Sequence, residues 1–126
     1  MKPTYKLILI GCFTIALYDA VFSVLSKQLN FNYAYLAIVS YIIYGTFGFI
    51  GTRKNDLKTG IWIAAIVGLF DSTAGWEISI LLKANTGSLK NDPTLGLWIF
   101  TSLFVTATAA FAGVMGGWLA KITARK

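Results

Sequence analysis

Two aspartates stand where the chain is otherwise apolar: Asp19 in the run IALYDAVFS and Asp71 in VGLFDSTAG. A carboxylate in such a setting is suited to holding a proton or meeting a cationic or hydroxyl-bearing partner, because its charge is unfavourable alone in an apolar medium. Each lies thirteen residues after a lysine, Lys6 or Lys58, and each follows a leucine and an aromatic residue, Leu17-Tyr18 or Leu69-Phe70. That shared setting points to a pair of acids acting at one depth. The competing use is structural, since polar side chains glue membrane helices together by hydrogen bonds worth about 0.6–2 kcal/mol. Glu77 is a third candidate acid, closer to the far end of its run. Tyr18 and Tyr44 are the candidate hydroxyl partners, on an aromatic path that also takes in Phe22, Tyr41, Trp62 and Trp76. Aromatic faces attract cations, although such residues also pack against lipid.

The elements that must position these groups follow from hydropathy. Hydrophobic residues make up 56% of the 126 and charged residues 13%, against about 25% charged in soluble proteins. Four apolar runs, about 7–26, 31–52, 59–82 and 98–120, each approach the roughly 20 residues that cross a bilayer as a helix. The second and fourth hold no charge at all. A soluble bundle would show a polar face at period 3.6 and a β-barrel strict alternation, and neither pattern is present. The first run follows Lys2 and Lys6 but lacks a small-x-small cleavage site, so it reads as a retained helix. The expected fold is all-α, a single polytopic membrane domain of four transmembrane helices.

The basic residues bear on orientation and partners. Lys2, Lys6, Arg53, Lys54, Lys58, Lys121, Arg125 and Lys126 fall at one end of such a bundle, and Lys27, Lys83 and Lys90 at the other. The positive-inside rule then places both termini and the middle loop in the cytoplasm, with a prokaryotic inner or plasma membrane as the expected location. The net charge of +6 is spread over short loops with no single patch, so it implies a lipid-bilayer partner and anionic headgroups rather than nucleic acid. Lys27, eight residues beyond Asp19, reads as a snorkelling anchor. With one cysteine, Cys12, and no histidine, no disulfide, metal site or cofactor is expected, and no catalytic set of an enzyme is visible.

The halves resemble each other. Aligning Lys6 with Lys58 pairs Asp19 with Asp71, and the second and fourth runs close on glycines before basic residues. We therefore expect two parallel helical hairpins related by an axis along the membrane normal. Gly45, Gly48 and Gly51 recur every third residue, and Ala109, Gly113 and Gly117 every fourth, which marks helix-packing faces within the fold or between subunits. The third loop carries the turn formers Asn85, Gly87, Asn91, Asp92 and Pro93, and Asp92-Pro93-Thr94 reads as the entry to the last helix, capped by the aspartate.

Gly11, Asp19, Phe31, Ala34, Ser40, Tyr41 and Phe47 make the first hairpin resemble the GtrA-type family of small four-helix membrane proteins, proposed to move polyprenyl-phosphate-linked sugars across bacterial membranes. In that comparison Asp19 falls about one place out of register and Thr46 stands where an asparagine is typical. Asp19 and Lys27 in DAVFSVLSK are similar to the acid and lysine in the first helix of the small multidrug resistance family, which uses glutamate there. Either likeness implies transport. The sequence thus reads as a small membrane transporter or flippase-type protein, homo-oligomeric or joined to a larger membrane partner. The alternative is a non-transporting accessory or scaffold subunit that docks a larger complex through its glycine faces.

Overall fold

In the computed structural model, which describes residues 2–87 and 94–125, the described chain is helical and holds no strand. Helix α1 spans Pro3–Gln28, and a 3-10 turn at Tyr33–Leu36 leads into α2, Ala37–Lys54. Helix α3, Leu57–Phe70, continues through a π-helical turn, Asp71–Gly75, into α4, Trp76–Leu81. Helix α5 spans Leu95–Ala124. These form four helical rods, Pro3–Gln28, Tyr33–Lys54, Leu57–Leu81 and Leu95–Ala124, each long and apolar enough to cross a membrane.

Most rods overrun the apolar segments marked on the sequence, so the loops are shorter than expected. Lys27, Arg53, Lys54 and Lys121 sit in last helical turns rather than in loops. Their long stems carry the charge outward, so the backbone has no reason to unwind beneath them, and basic groups at helix C-termini are favoured by the dipole. The cap of α5 also differs from expectation. Thr94 holds it, accepting a hydrogen bond from the Leu97 amide at 3.2 Å, while Asp92 and Pro93 lie outside the described residues.

Bare glycine backbone sets the packing of α2, α3 and α5. A methyl group added at Gly48 would fall 2.6 Å from Cα of Gly113, and one at Gly51 2.9 Å from Cα of Gly60. One at Gly113 would fall 2.6 Å from Cβ of Ala64, and one at Gly117 2.6 Å from Oγ1 of Thr52. Ordinary carbon contacts need about 3.5–4 Å, so these helices approach more closely than any side chain there allows. Gly45 is looser, with a methyl position 3.6 Å from the carbonyl oxygen of Ala112. Around this contact Ile15, Tyr44, Phe47, Ile63 and Val67 form the core. Helix α1 meets α3 and α2 at Gly11, against Val67 and Phe47, and does not reach α5. The packing therefore departs from a strict two-fold: α2 lies on α3, while their counterparts α5 and α1 stay apart.

The outward faces carry large apolar side chains, among them Phe13, Ile42, Trp62, Phe100, Phe111 and Trp118. The apolar window of α5 is only 11% buried within the bundle, against 44% for the rod that contains α3. Exposed apolar surface on that scale marks a face meant for something other than water. The two ends of the bundle differ in chemistry. At the basic end Arg53 lies 5.8 Å over the Phe49 ring, and Asp56 caps α3 by accepting from the Thr59 amide at 2.7 Å. Hydrogen bonds from Thr59, helped by Lys58 and Lys121, hold the Asp56 carboxyl below its ordinary range.

At the opposite end α1 and α4 stop in the same way. Asn30 and Lys83 both adopt the left-handed conformation, at φ 54° each. The amide of Phe31 then bonds back to the Ser26 carbonyl at 3.2 Å, and that of Ala84 to the Ser79 carbonyl at 2.9 Å. These are the six-residue closures of a Schellman motif. Asn85 ties the two ends together: its amide donates to Ser26 Oγ at 3.0 Å, and its carbonyl accepts from the Tyr33 amide at 2.7 Å.

Candidate functional site

Depth comes first. Asp19 lies sixteen residues into α1 and Asp71 fourteen beyond the start of α3, so at 1.5 Å per residue both sit roughly 21–24 Å from the basic end. The two acids occupy one level, as their sequence settings imply. Lateral position depends on the π-helical turn. There the Trp76 amide reaches back to the Asp71 carbonyl, a widened turn that accommodates one extra residue and is frequent at functional sites. It presents Asp71 and Gly75 together to α1. Asp19 Oδ2 and Asp71 Oδ1 both point at Gly75: a methyl group there would fall 2.9 Å from the Asp71 oxygen and closer still to that of Asp19. Glycine at position 75 is thus the condition for the carboxyls to face each other.

Each acid is held by a tyrosine. The Tyr33 hydroxyl donates to Asp19 Oδ1, and the Tyr44 hydroxyl donates to Asp71 Oδ2. Tyr18, next to Asp19, donates to the Leu36 carbonyl at 2.6 Å and so fixes the 3-10 turn that carries Tyr33. Ser40 joins the cluster beside Asp71 and Tyr44, and Ser79 joins it beside Tyr33. Asp19 is 2% exposed and Tyr44 1%, so these contacts are shielded from solvent. Asp19 Oδ2 takes no hydrogen bond from the described residues. The Asp71 carboxyl lies within hydrogen-bonding reach of that of Asp19, and two ionised carboxyls so close repel strongly in a low-dielectric interior. The arrangement is complete when a proton or a cation bridges them.

The pair forms part of the wall of a cavity of about 300 Å³ between α1, the 3-10 turn, α2, the π-turn, α4 and the first half of α5. Its lining is mostly apolar, with Trp76, Leu97 and Val105 in it, and it also takes in the hydroxyl-bearing residues Tyr18, Tyr33, Ser40, Tyr44 and Thr101. Trp76 stacks on Trp98 with ring centroids 5.8 Å apart. The cavity brings together four of the five candidates expected to bind: Asp19, Asp71, Tyr18 and Tyr44. Glu77 is exposed on α4 and contributes nothing to the lining. Of the aromatic path, Tyr41 and Trp76 line the cavity, Phe22 packs on the Tyr18 ring at 4.9 Å, and Trp62 faces outward at 59% exposure. Lys27 is also exposed and does not line the cavity.

Sequence reasoning missed Tyr33, Ser79 and Gly75, and named Ser40 only within a family resemblance. Tyr33 had a faint signal, since Asn32 precedes it and caps the turn by accepting from the Ala34 amide at 3.0 Å. Gly75 lies four residues after Asp71, one helical turn away, a spacing that marks close approach to a partner only once that partner is known. Among the described residues no group of three or more acidic, histidine or cysteine side chains gathers where a metal would sit. No protein-family model, curated protein or solved structure matches this chain.

Proposed function

We propose that the chain is a small multi-pass membrane transporter or flippase-type protein in which Asp19 and Asp71 exchange a proton for a cationic or hydroxyl-bearing group. The observation that carries this reading is the meeting of the two carboxyls, from different helices at one level, in the wall of a largely apolar cavity. Intramembrane acids are expensive and belong to substrate or proton paths. Each acid takes a tyrosine hydroxyl and lies within hydrogen-bonding reach of the other, so one proton held between them completes the pair. The basic end, with Arg53, Lys54, Lys58 and Lys121, faces the cytoplasm in this reading, and so do both termini.

The hairpin repeat belongs to the same proposal. Lys6 to Lys58 and Asp19 to Asp71 share one offset, 52 residues, while Ser26 to Ser79 and Asn30 to Lys83 share an offset of 53. The π-turn between them inserts one residue and accounts for the change. A common ancestry of α1 with the α3–α4 rod explains why both carry an acid at one depth and both end in the same closure. The sparse burial of α5 favours a further protein partner, either a second copy or a larger complex. An accessory role rests on that face alone.

The test uses proteoliposomes loaded with a pH-sensitive dye and challenged with guanidinium, which is permanently charged, and with methyl glucoside, which is neutral. Proton counterflow should follow one of these probes in the wild type and vanish in Asp19→Asn and Asp71→Asn proteins that keep the wild-type elution profile. Counterflow that persists in both variants, or never occurs with either probe, rules the reading out.

A further inference from the structure

The 3-10 turn Tyr33–Leu36 is held differently from the rest of the fold. None of its residues is buried, and among the described elements its backbone packs on α1 and α2 and stands off from α4 and α5. Hydrogen bonds hold it instead. The Tyr33 amide donates to the Asn85 carbonyl at 2.7 Å, the Tyr18 hydroxyl to the Leu36 carbonyl at 2.6 Å, and the Tyr33 hydroxyl to Asp19 Oδ1. Through Tyr33, Ala34 and Leu36 the turn forms one side of the cavity, and Leu97 and Thr101 of α5 form another. Because it joins the end of α1 to the start of α2, the Tyr33 side chain reaches from the non-basic end of the bundle down to the acid pair, and Asp19 beneath it is 2% exposed. A segment with few buried contacts belongs to the part of a fold that opens most readily, and 3-10 hydrogen bonds are poorer than α-helical ones.

We infer that the turn Tyr33–Leu36 is a gate over the acid pair, latched by Tyr33 on Asp19 and by Tyr18 on Leu36, and loosened when a proton rests on Asp19. The inference rests on the proton-exchange reading above and adds how access to the pair is regulated. Its sign follows from the acceptors. A hydroxyl donates more strongly to an ionised carboxylate than to a neutral carboxyl, so a proton on Asp19 weakens the Tyr33 latch. The Tyr18 latch ends on a backbone carbonyl and keeps its strength. The groups that face Asp19 are Asp71 from the π-turn, Tyr33 from the 3-10 turn, Tyr44 from α2 and Tyr18 from its own helix. Asp71 is the one carboxyl among them, so the latch reports how the pair shares its proton.

The experiment measures how fast two methanethiosulfonates, one bearing a quaternary ammonium and one a sulfonate, modify Ser72→Cys in the full chain in lipid nanodiscs. Ser72 is buried, lines the cavity and follows Asp71, and a Cys12→Ala background removes the single native cysteine. A change in local charge moves the two reagents in opposite directions, whereas a change in access moves both alike. Tyr18→Phe should speed both about three- to tenfold, the worth of one neutral hydrogen bond. Tyr33→Phe should speed both about tenfold or more, because its bond is charge-assisted. Asp19→Asn, a neutral acceptor, should also speed both, and Tyr33→Phe should then add less than it does alone. Val67→Cys, in the core, should stay unreactive in every variant, and labelling there would mean a loosened bundle and overturn the gate. Unchanged rates at Ser72→Cys in both tyrosine variants would overturn it too, while the proton-exchange reading would still stand on counterflow. Faster labelling with Tyr33→Phe but not with Asp19→Asn would sever the gate from the acid and overturn the inference.

Discussion

Gly75→Ala is the sharpest perturbation this site offers, because one methyl group tests both the facing of the carboxyls and its consequence. The added carbon would lie 2.9 Å from Asp71 Oδ1 and nearer to Asp19 Oδ2. A comfortable contact needs roughly 3.5 Å, so both carboxyls must withdraw, that of Asp71 by about 0.6 Å and that of Asp19 by more than about 1 Å. Overpacking of this kind costs about 1–3 kcal/mol, and alanine recovers about 1 kcal/mol over glycine in a helix. The net loss of stability is then roughly 0–2 kcal/mol, small enough for a folded protein. A displacement near 1 Å at a reacting centre can cost about 100-fold in rate. The variant should accordingly elute as wild type, melt slightly lower and lose proton counterflow in proteoliposomes by that order. Gly96→Ala is the control, since nothing lies within 4 Å of its methyl position, and it should match the wild type in both respects. Wild-type counterflow in Gly75→Ala would refute the argument that the carboxyls must meet across this glycine.

Three further outcomes follow from the packing and the caps. Tyr44→Phe removes one donor to Asp71 and leaves Ser40 beside it, so it should destabilise by about 0.5–1.5 kcal/mol in a denaturant titration in detergent, the net worth of one hydrogen bond. Gly48→Val drives a side chain into the Gly113 backbone, whose Cα lies 2.6 Å from the methyl position. It should lower stability by at least about 1–3 kcal/mol, and a monodisperse variant that melts as wild type would contradict the close α2–α5 contact. Asp56→Ala removes the cap on α3 and should lower the melting temperature at neutral pH. Because the folded-state carboxyl sits below its ordinary value, its contribution is full above the unfolded value of about 3.9. The difference from wild type should therefore shrink as pH falls below about 4 and disappear once the folded carboxyl is protonated.

How far the sequence could be read depended on the range of the physics involved. Four helices were legible because about 20 consecutive apolar residues are a one-dimensional signal. The glycine faces were legible because the spacing of Gly45, Gly48 and Gly51, and of Gly113 and Gly117, is set by one helix alone. Helix ends were less so: Lys27 and Lys121 look like loop residues by charge, yet remain helical because their stems reach outward. The depth of Asp19 and Asp71 was countable from Lys6 and Lys58, but their facing was not. It needs the π-turn, which changes which side chains share a face and leaves no composition signal in DSTAG. Tyr33 was out of reach for a related reason, since its position depends on Asn85, fifty-two residues away, holding its amide at 2.7 Å. Glu77 shows the converse: an acid in an apolar setting that the helix turns outward.

Whether Asp19 and Asp71 act as one group is decided by combining their substitutions. With the probe that drives counterflow in the wild type, Asp19→Asn and Asp71→Asn should each abolish the proton counterflow, and the double variant should be no worse than either alone, as for residues that work as a unit. Losses that multiply, or one substitution that passes unnoticed, would mean two separate acids and contradict the account.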